Sequence, residues 1–356
     1  MALLELSAAF DCVDHDILLS RLNITYGIGN TVHSLMSSYL SGRTQSVDGA
    51  SSRAETMQYD VPQGSVLGPL LFLLYTADLD AIVTNHGLIS HFYADDLQLY
   101  LYCNPDQIQH LRIVTIECNM DIDSRMKSNR LPLNPAKTEF LWLATLRRFH
   151  YLNGSSFILG NTIIKPTTIA RNLGVMMNQD VSMRSHMNKL VRSCFYSLGQ
   201  IRSNRRSLTF YATRKLICSL IHSRVDYCNS LFAGLPAQSI DRLQSILNAS
   251  THLACGLHKY DHITPALCDK LHWLTMQQRI TYKLCLLTFK GIQGKAPPYI
   301  VELCKCVNII ESRRRLRSAA GGQLIVPRTF TDFGKGSFAY ASPSTWNSLP
   351  TELRLS

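Results

Sequence analysis

Two adjacent carboxylates, Asp95 and Asp96, stand between apolar runs in the stretch "HFYADDLQLYLY" (residues 91–102). Like charges this close repel each other unless a cation or basic partner sits with them. Leu97, Leu99 and Leu101 alternate with Gln98, Tyr100 and Tyr102, the period-two pattern of a half-buried strand. The preceding "GLISHFY" is strand-like as well, so the pattern predicts a hairpin with both acids at its tip. The dipeptide alone reads more readily as a solvated turn, because Asp is common in turns. A second constellation lies in "CGLHKYDHITPALCDKLH", where Cys255, His258, His262, Cys268 and His272 fall within 18 residues. Zinc takes Cys and His tetrahedrally. Here the pairs are spaced C-x2-H and C-x3-H, and five candidates compete for four places, so zinc is not expected. The run "RRRLR" (residues 313–317) suits a phosphate contact, a nuclear import patch or a solvated loop.

The elements around these residues divide in two. Up to about residue 180 the sequence reads as α+β. A short apolar run, Leu3–Leu4, leads into a helix-like pattern with Ile17, Leu18 and Leu22 on one side. Two short strand candidates flank a turn at 48–52. The Pro/Gly-rich "VPQGS" then enters a long apolar helix, with Ser65 a candidate N-cap. After the acidic hairpin, residues 105–128 carry an amphipathic pattern. Residues 132–144 read as a loop plus strand, followed by short strands near 157–165 and 171–177. From about 181 the texture is helical. The expected organisation is residues 1–180, a helical region 181–305 and a basic, loop-rich tail 306–356.

Composition bounds the class. The 356 residues are 46% hydrophobic and 17% charged, an ordinary globular balance. No basic start followed by an apolar core and a small-residue cleavage site marks a secretory signal, and no window gives an uninterrupted membrane span. Eleven cysteines without framework spacing read as reduced thiols. An intracellular protein, nuclear or cytoplasmic, is expected, with no membrane partner; oligomeric state is not legible. Charge is uneven: residues 1–160 hold 10 Lys and Arg against 16 Asp and Glu, whereas residues 161–356 hold 26 against 9. That pairing suggests a metal-dependent centre with a polyanion-gripping arm.

The order of the motifs carries more than any one of them. "LLELSAAFDCVDHDILLSRL", "VPQGSVLGPLLF", "FYADDLQLY", "LNPAKTEFLWL" and "NLGVMM" resemble, in that order, palm motifs A to E of the reverse transcriptases of non-LTR (LINE-class) retrotransposons. "KYDHITPALCDKLHWL" and "SPSTWNSLP" resemble the C-terminal regions of such elements. The resemblance implies a polymerase palm with a packed antiparallel sheet, followed by a helical, basic, thumb-like region. It implies an RNA-directed DNA polymerase that joins deoxynucleoside triphosphates to a DNA primer on an RNA template. Two Mg²⁺ ions, held by Glu5, Asp95 and Asp96, would stabilise the attacking and leaving oxygens. Lys137 would assist the departing pyrophosphate.

Further roles follow by position. Phe10 matches the aromatic that crowds a ribonucleotide 2′-hydroxyl, though its spacing suits a core aromatic equally. Gln63, Gly64 and Ser65 would meet the incoming nucleotide and template, with glycine permitting close backbone approach. Arg184, Lys189, Arg192, Arg202, Arg205, Arg206, Arg214 and Lys215, with Arg224, would track the duplex backbone. Tyr196, Phe210 and Tyr211 interleave with them, but aromatic residues at helical spacing suit a core.

Three departures bear on competence. The family carries Asp where this chain has Glu5, and the added methylene moves the carboxylate by about 1.5 Å, against a tolerance of about 0.5 Å for catalytic constellations. Asp60 replaces the glycine usual before "VPQG". The chain opens inside motif A, so the resemblance implies an N-terminally truncated copy without fingers. Polymerase activity is therefore expected to be weak or lost, the alternative being a catalytically dead nucleic-acid-binding remnant.

Overall fold

The structure is a computed structural model that describes residues 1–42, 46–47, 50–51, 58–62, 64–152, 156–159, 162–258, 260–309 and 321–355. Gln63 and the 313–317 arginine run lie outside the described residues. The chain divides into two compact units, Met1–Ser182 and Met183–Ser356.

The first unit is mixed helix and sheet. Its central sheet is antiparallel, in the order β4-β5-β1-β6. The strands are β1 (Ala2–Glu5), β4 (Ile89–Tyr93), β5 (Asp96–Tyr100) and β6 (Glu139–Phe140). Between β1 and β4 the chain forms a small ladder of β2 (Ser46–Val47) and β3 (Ala50–Ser51). Period-two patterning works as expected in β5: Leu97 and Leu99 are buried, while Asp96, Gln98 and Tyr100 are half-buried on the other face. In β1, Ala2 and Leu4 enter the same core and Glu5 stays out of it.

Helices close the apolar face. They are α1 (His15–Ile24), α2 (Asn30–Leu40), α3 (Gly68–Thr76), α4 (Asp78–Asn85) and α5 (Ile108–Ser128). Leu18, Leu22, Leu71, Phe72, Tyr75, Ile122 and Met126 join Leu4, Leu97 and Leu99 in one core. The Asp78 carboxylate ties three helices together, meeting Arg21 of α1 at 3.0 Å and Arg125 of α5. The long apolar helix expected after Ser65 begins instead at Gly68. Ser65 still contributes, its Oγ accepting the Gly68 N–H at 3.0 Å and donating to the Pro62 carbonyl at 2.7 Å. Gly68 has no alternative there: a Cβ would come within 2.8 Å of the Pro62 oxygen. Beyond β6, hairpins form from β7 (Phe157–Leu159) with β8 (Thr162–Ile164), and from β9 (Ile169–Asn172) with β10 (Val175–Asn178).

The second unit is helical in its described residues. Its long helices are α6 (Arg184–Ser203), α7 (Phe210–Ile217), α8 (Ala237–Cys255), α9 (Met276–Ile292) and α10 (Phe338–Asn347). Each of the four N-terminal ones lays an apolar stripe on a shared core that includes Cys194, Ile217, Leu243, Leu247, Met276 and Ile280. Thr209 and Thr275 accept backbone N–H groups as N-caps of α7 and α9. Within 306–356, expected to be loop-rich, α10 buries Trp346 against Leu324 and Cys304. No helix among the described residues is long and apolar enough to cross a membrane.

Candidate active site

The acids assemble through sheet register. Glu5 ends β1 and Asp96 begins β5, and the antiparallel ladder places them directly opposite each other. Such partners project from the same face with Cβ atoms only about 4.5–5.5 Å apart. Asp96 is also paired with Tyr93 across the hairpin, leaving Ala94 and Asp95 as the two-residue turn. Ala94 takes φ 52°, a left-handed conformation that a tight turn demands of it. The expected hairpin therefore forms, with a refinement: Asp95 occupies the tip and Asp96 the first strand position.

Lys137 completes the group. Its Nζ donates to Glu5 Oε1 at 2.6 Å. The turn carrying Lys137 hangs from Glu5 itself, because the Asn134 N–H donates to the Glu5 carbonyl at 2.9 Å. Asn134 organises that turn, its carbonyl accepting the N–H groups of Lys137 and Thr138 and its side chain accepting that of Ala136 at 3.1 Å. A small cavity of about 50 Å³ beside the acids is lined by Glu5, Asp96, Lys137, Arg171 and Asn172 among others. Asn172 and Gln98 exchange reciprocal amide hydrogen bonds of 2.8 and 3.1 Å, and Glu139 accepts the Arg171 N–H at 3.0 Å. These contacts fasten the β9–β10 hairpin to the strands that carry the acids.

The electrostatics are those of crowded carboxylates. Burial pushes the Asp96 carboxyl above its usual range, and the neighbouring Asp95 and Glu5 charges push it further. Lys137 is raised, chiefly by its hydrogen bond to Glu5. Oxygen-only donors repelling one another match a hard divalent cation such as magnesium in kind. Among the described residues, however, no three His, Cys, Asp or Glu side chains close around a common point. The cation at Glu5 in this structure is Lys137.

Residues 1–176 match the family model described as reverse transcriptase (RNA-dependent DNA polymerase). Residues 1–176 belong to the reverse transcriptase family. The chain is similar to the probable RNA-directed DNA polymerase from transposon BS of Drosophila melanogaster, with 29% identity over 228 residues, 59% of this chain and 24% of that protein. It is also similar to the RNA-directed DNA polymerase from mobile element jockey of Drosophila funebris, with 36% identity over 101 residues, 26% of this chain and 11% of that protein. Both relatives are named as proteins of a transposon or mobile element, and the chain spans about a quarter or less of either one's length.

In the reverse transcriptase domain, Phe10 sits in the turn after β1, half-buried, its ring centroid 4.9 Å from that of Phe72. It is thus packed on the core and partly open. The Phe10 carbonyl accepts the Val61 N–H at 3.0 Å, which brings the loop bearing Gly64 and Ser65 beside the one bearing Phe10. Gly64 is exposed with φ 84°. Asp60, in the glycine position of the resemblance, takes φ 100°, where a side chain is strained.

The basic candidates in the second unit differ in availability. Arg184, Lys189 and Arg192 are exposed on α6, and Arg202, Arg206, Arg214 and Lys215 are exposed as well. Arg205 is engaged structurally: its guanidinium donates to the carbonyls of Leu208 at 2.9 Å and Leu253 at 3.1 Å. Arg224 is held by Ser193 and Ser197 at 2.8 and 2.9 Å. Tyr196, Phe210 and Tyr211, expected in the core, are exposed; Tyr196 is 70% accessible. The buried stripe of α6 runs through Met187, Leu190, Cys194, Leu198 and Ile201, and Tyr196 falls off it, beside Lys189, Arg192 and Ser193 in a shallow concavity. Sequence reasoning missed this face because it treated the aromatics separately from the stripe.

Proposed function

We infer that the chain is the RNA-directed DNA polymerase part of a retrotransposon protein. The observation that carries the reading is the register pairing of Glu5 with Asp96, with Asp95 adjacent and Lys137 on Glu5, inside a domain of the reverse transcriptase family. The first unit serves as the palm and the second as a basic, thumb-like body. Glu5, Asp95 and Asp96 would hold Mg²⁺, which when bound supplies electrostatic stabilisation at the attacking and leaving oxygens of nucleotidyl transfer. Lys137 places a fixed positive charge at the same edge, where a polyphosphate would gather negative charge. Phe10, backed by Phe72, presents a rigid surface where a sugar would stack, and Gly64 lets backbone come close to phosphate. The α6 face of Lys189, Arg192 and Tyr196 would meet a template–primer duplex through its backbone. RNA template, DNA primer and deoxynucleoside triphosphates are the corresponding partners.

A second reading, a binding remnant without chemistry, is favoured by one observation: Glu5, with its added methylene, is committed to Lys137. Primer extension on an RNA template in Mg²⁺ separates the two. Extension that disappears in Asp95→Ala is the expected result for a polymerase. Extension that emerges only in Glu5→Asp locates a defect in that one carboxylate. Duplex binding without extension in every version leaves the remnant.

A further inference from the structure

We propose that Lys137 is a built-in counter-cation of the acid cluster, a latch that a divalent ion must displace from Glu5 before it can take that carboxylate as a ligand. The proposal rests on the metal-ligand reading of Glu5, Asp95 and Asp96, and concerns how this chain's own residues compete for that role.

Three features make the latch a built device. First, both partners are held by one backbone hydrogen bond: the turn that presents Lys137 is suspended from the Glu5 carbonyl through Asn134 N–H, so the ammonium returns to the same carboxylate whenever it is free. The bridge between Leu6 and Leu133, and the Ser7 N–H donated to the Pro132 carbonyl at 3.0 Å, fasten the approach to that turn along the continuation of β1. Second, the pair is direct, at 2.6 Å, with side-chain exposures of 55% for Lys137 and 37% for Glu5. Water and ions reach it, so displacement needs no unfolding. Third, the carboxylates do not converge as a three-donor set while the pair is made. The longer arm of glutamate explains the reach. An aspartate at position 5 would hold its carboxylate about 1.5 Å nearer the strand.

The competition is simple electrostatics. Two cations cannot share one carboxylate oxygen without repulsion, so each raises the apparent dissociation constant of the other. The latch also keeps three close acids tolerable when divalent ions are scarce.

The test titrates manganese chloride into the full chain and follows the electron paramagnetic resonance signal of the free aqueous ion. Lys137→Met keeps length and removes charge, Lys137→Arg keeps charge, and Asp96→Asn removes a ligand. Lys137→Met is expected to bind manganese about two- to fivefold more tightly than the parent, the range set by an exposed ion pair. Lys137→Arg should stay close to the parent, and Asp96→Asn should bind more weakly than any. Manganese affinity in Lys137→Met equal to or below that of the parent, with Asp96→Asn still weakened, overturns the latch and leaves the ligand reading standing. Binding by none of the versions, or binding indifferent to Asp96→Asn, overturns both.

Discussion

The position with the clearest residue-scale consequence is Asp60. Its φ of 100° lies where glycine is at ease and a Cβ is not. The conformation is imposed from both sides: the Asp60 N–H donates to the Val13 carbonyl at 3.1 Å and the His15 ring contacts the Asp60 carbonyl at 2.7 Å. Both contacts belong to the backbone of residue 60 and survive replacement by glycine. Relief of backbone strain in Asp60→Gly, net of the glycine's extra unfolded-state entropy, should therefore contribute about 1 kcal/mol to the stability of the first unit. For a unit of this size that is a rise of about 2–4 °C in melting temperature. A melting point that stays or falls would show the aspartate to be unstrained. This position was legible in the sequence, since a glycine is usual there in the family resemblance. The Glu5–Lys137 pair was legible only as two separate roles. The residues stand 132 positions apart, and their contact follows from a turn hung on a strand end.

Elements were read well where one period ran long enough. The β4–β5 hairpin follows from alternation over a dozen residues. The strand expected after the "LNPAKT" loop also forms, as β6, but only Glu139 and Phe140 find partners on β1. In the second unit two π-helical turns, Cys218–His222 and Ala266–Lys270, escape the sequence pattern, and the first continues α7. Such insertions widen the helix by one residue and leave no periodic mark. The first turn places His222 in the core, edge-to-face with Trp273 at 4.3 Å. Arg279 donates to its Nδ1 at 3.3 Å while pairing with Asp226 at 2.7 Å. Burial, aided by the Arg279 charge, lowers the His222 pKa to about 3. A folded-state pKa below the unfolded value of about 6.5 means that the unfolded chain binds the extra proton first. Stability from this group is thus full above about pH 6.5 and is lost as pH falls from there towards about 3, by about 1.4 kcal/mol per pH unit at the steepest. Chemical denaturation between pH 7 and 5 should show a slope that steepens towards that value by pH 5, and His222→Gln, which does not titrate, should flatten it. Parallel slopes in the two proteins would mean that His222 protonates without penalty.

At the scale of the whole molecule the charge division persists in the folded units. Residues 1–182 carry 12 Lys and Arg against 17 Asp and Glu, and residues 183–356 carry 24 against 8. Composition made that asymmetry visible, but not which cations face water. Arg205 looks in the sequence like Lys189 and Arg192, yet it is half-buried and bound to carbonyls, whereas they are open on α6. Counterion release turns that difference into a measurement: the logarithm of duplex affinity falls with the logarithm of salt by nearly one unit per phosphate contact. Replacing Lys189 and Arg192 together by alanine should reduce the slope by about two and weaken binding at every sequence alike. Arg205→Ala should instead lower the melting temperature, because it leaves the carbonyls at the α8 end without their donor, and should change the slope little. Asp96→Asn should leave the slope where it was, since the basic residues proposed to meet the duplex lie in the other unit. A slope that follows Arg205 and ignores Lys189 and Arg192 would move the contact surface away from α6.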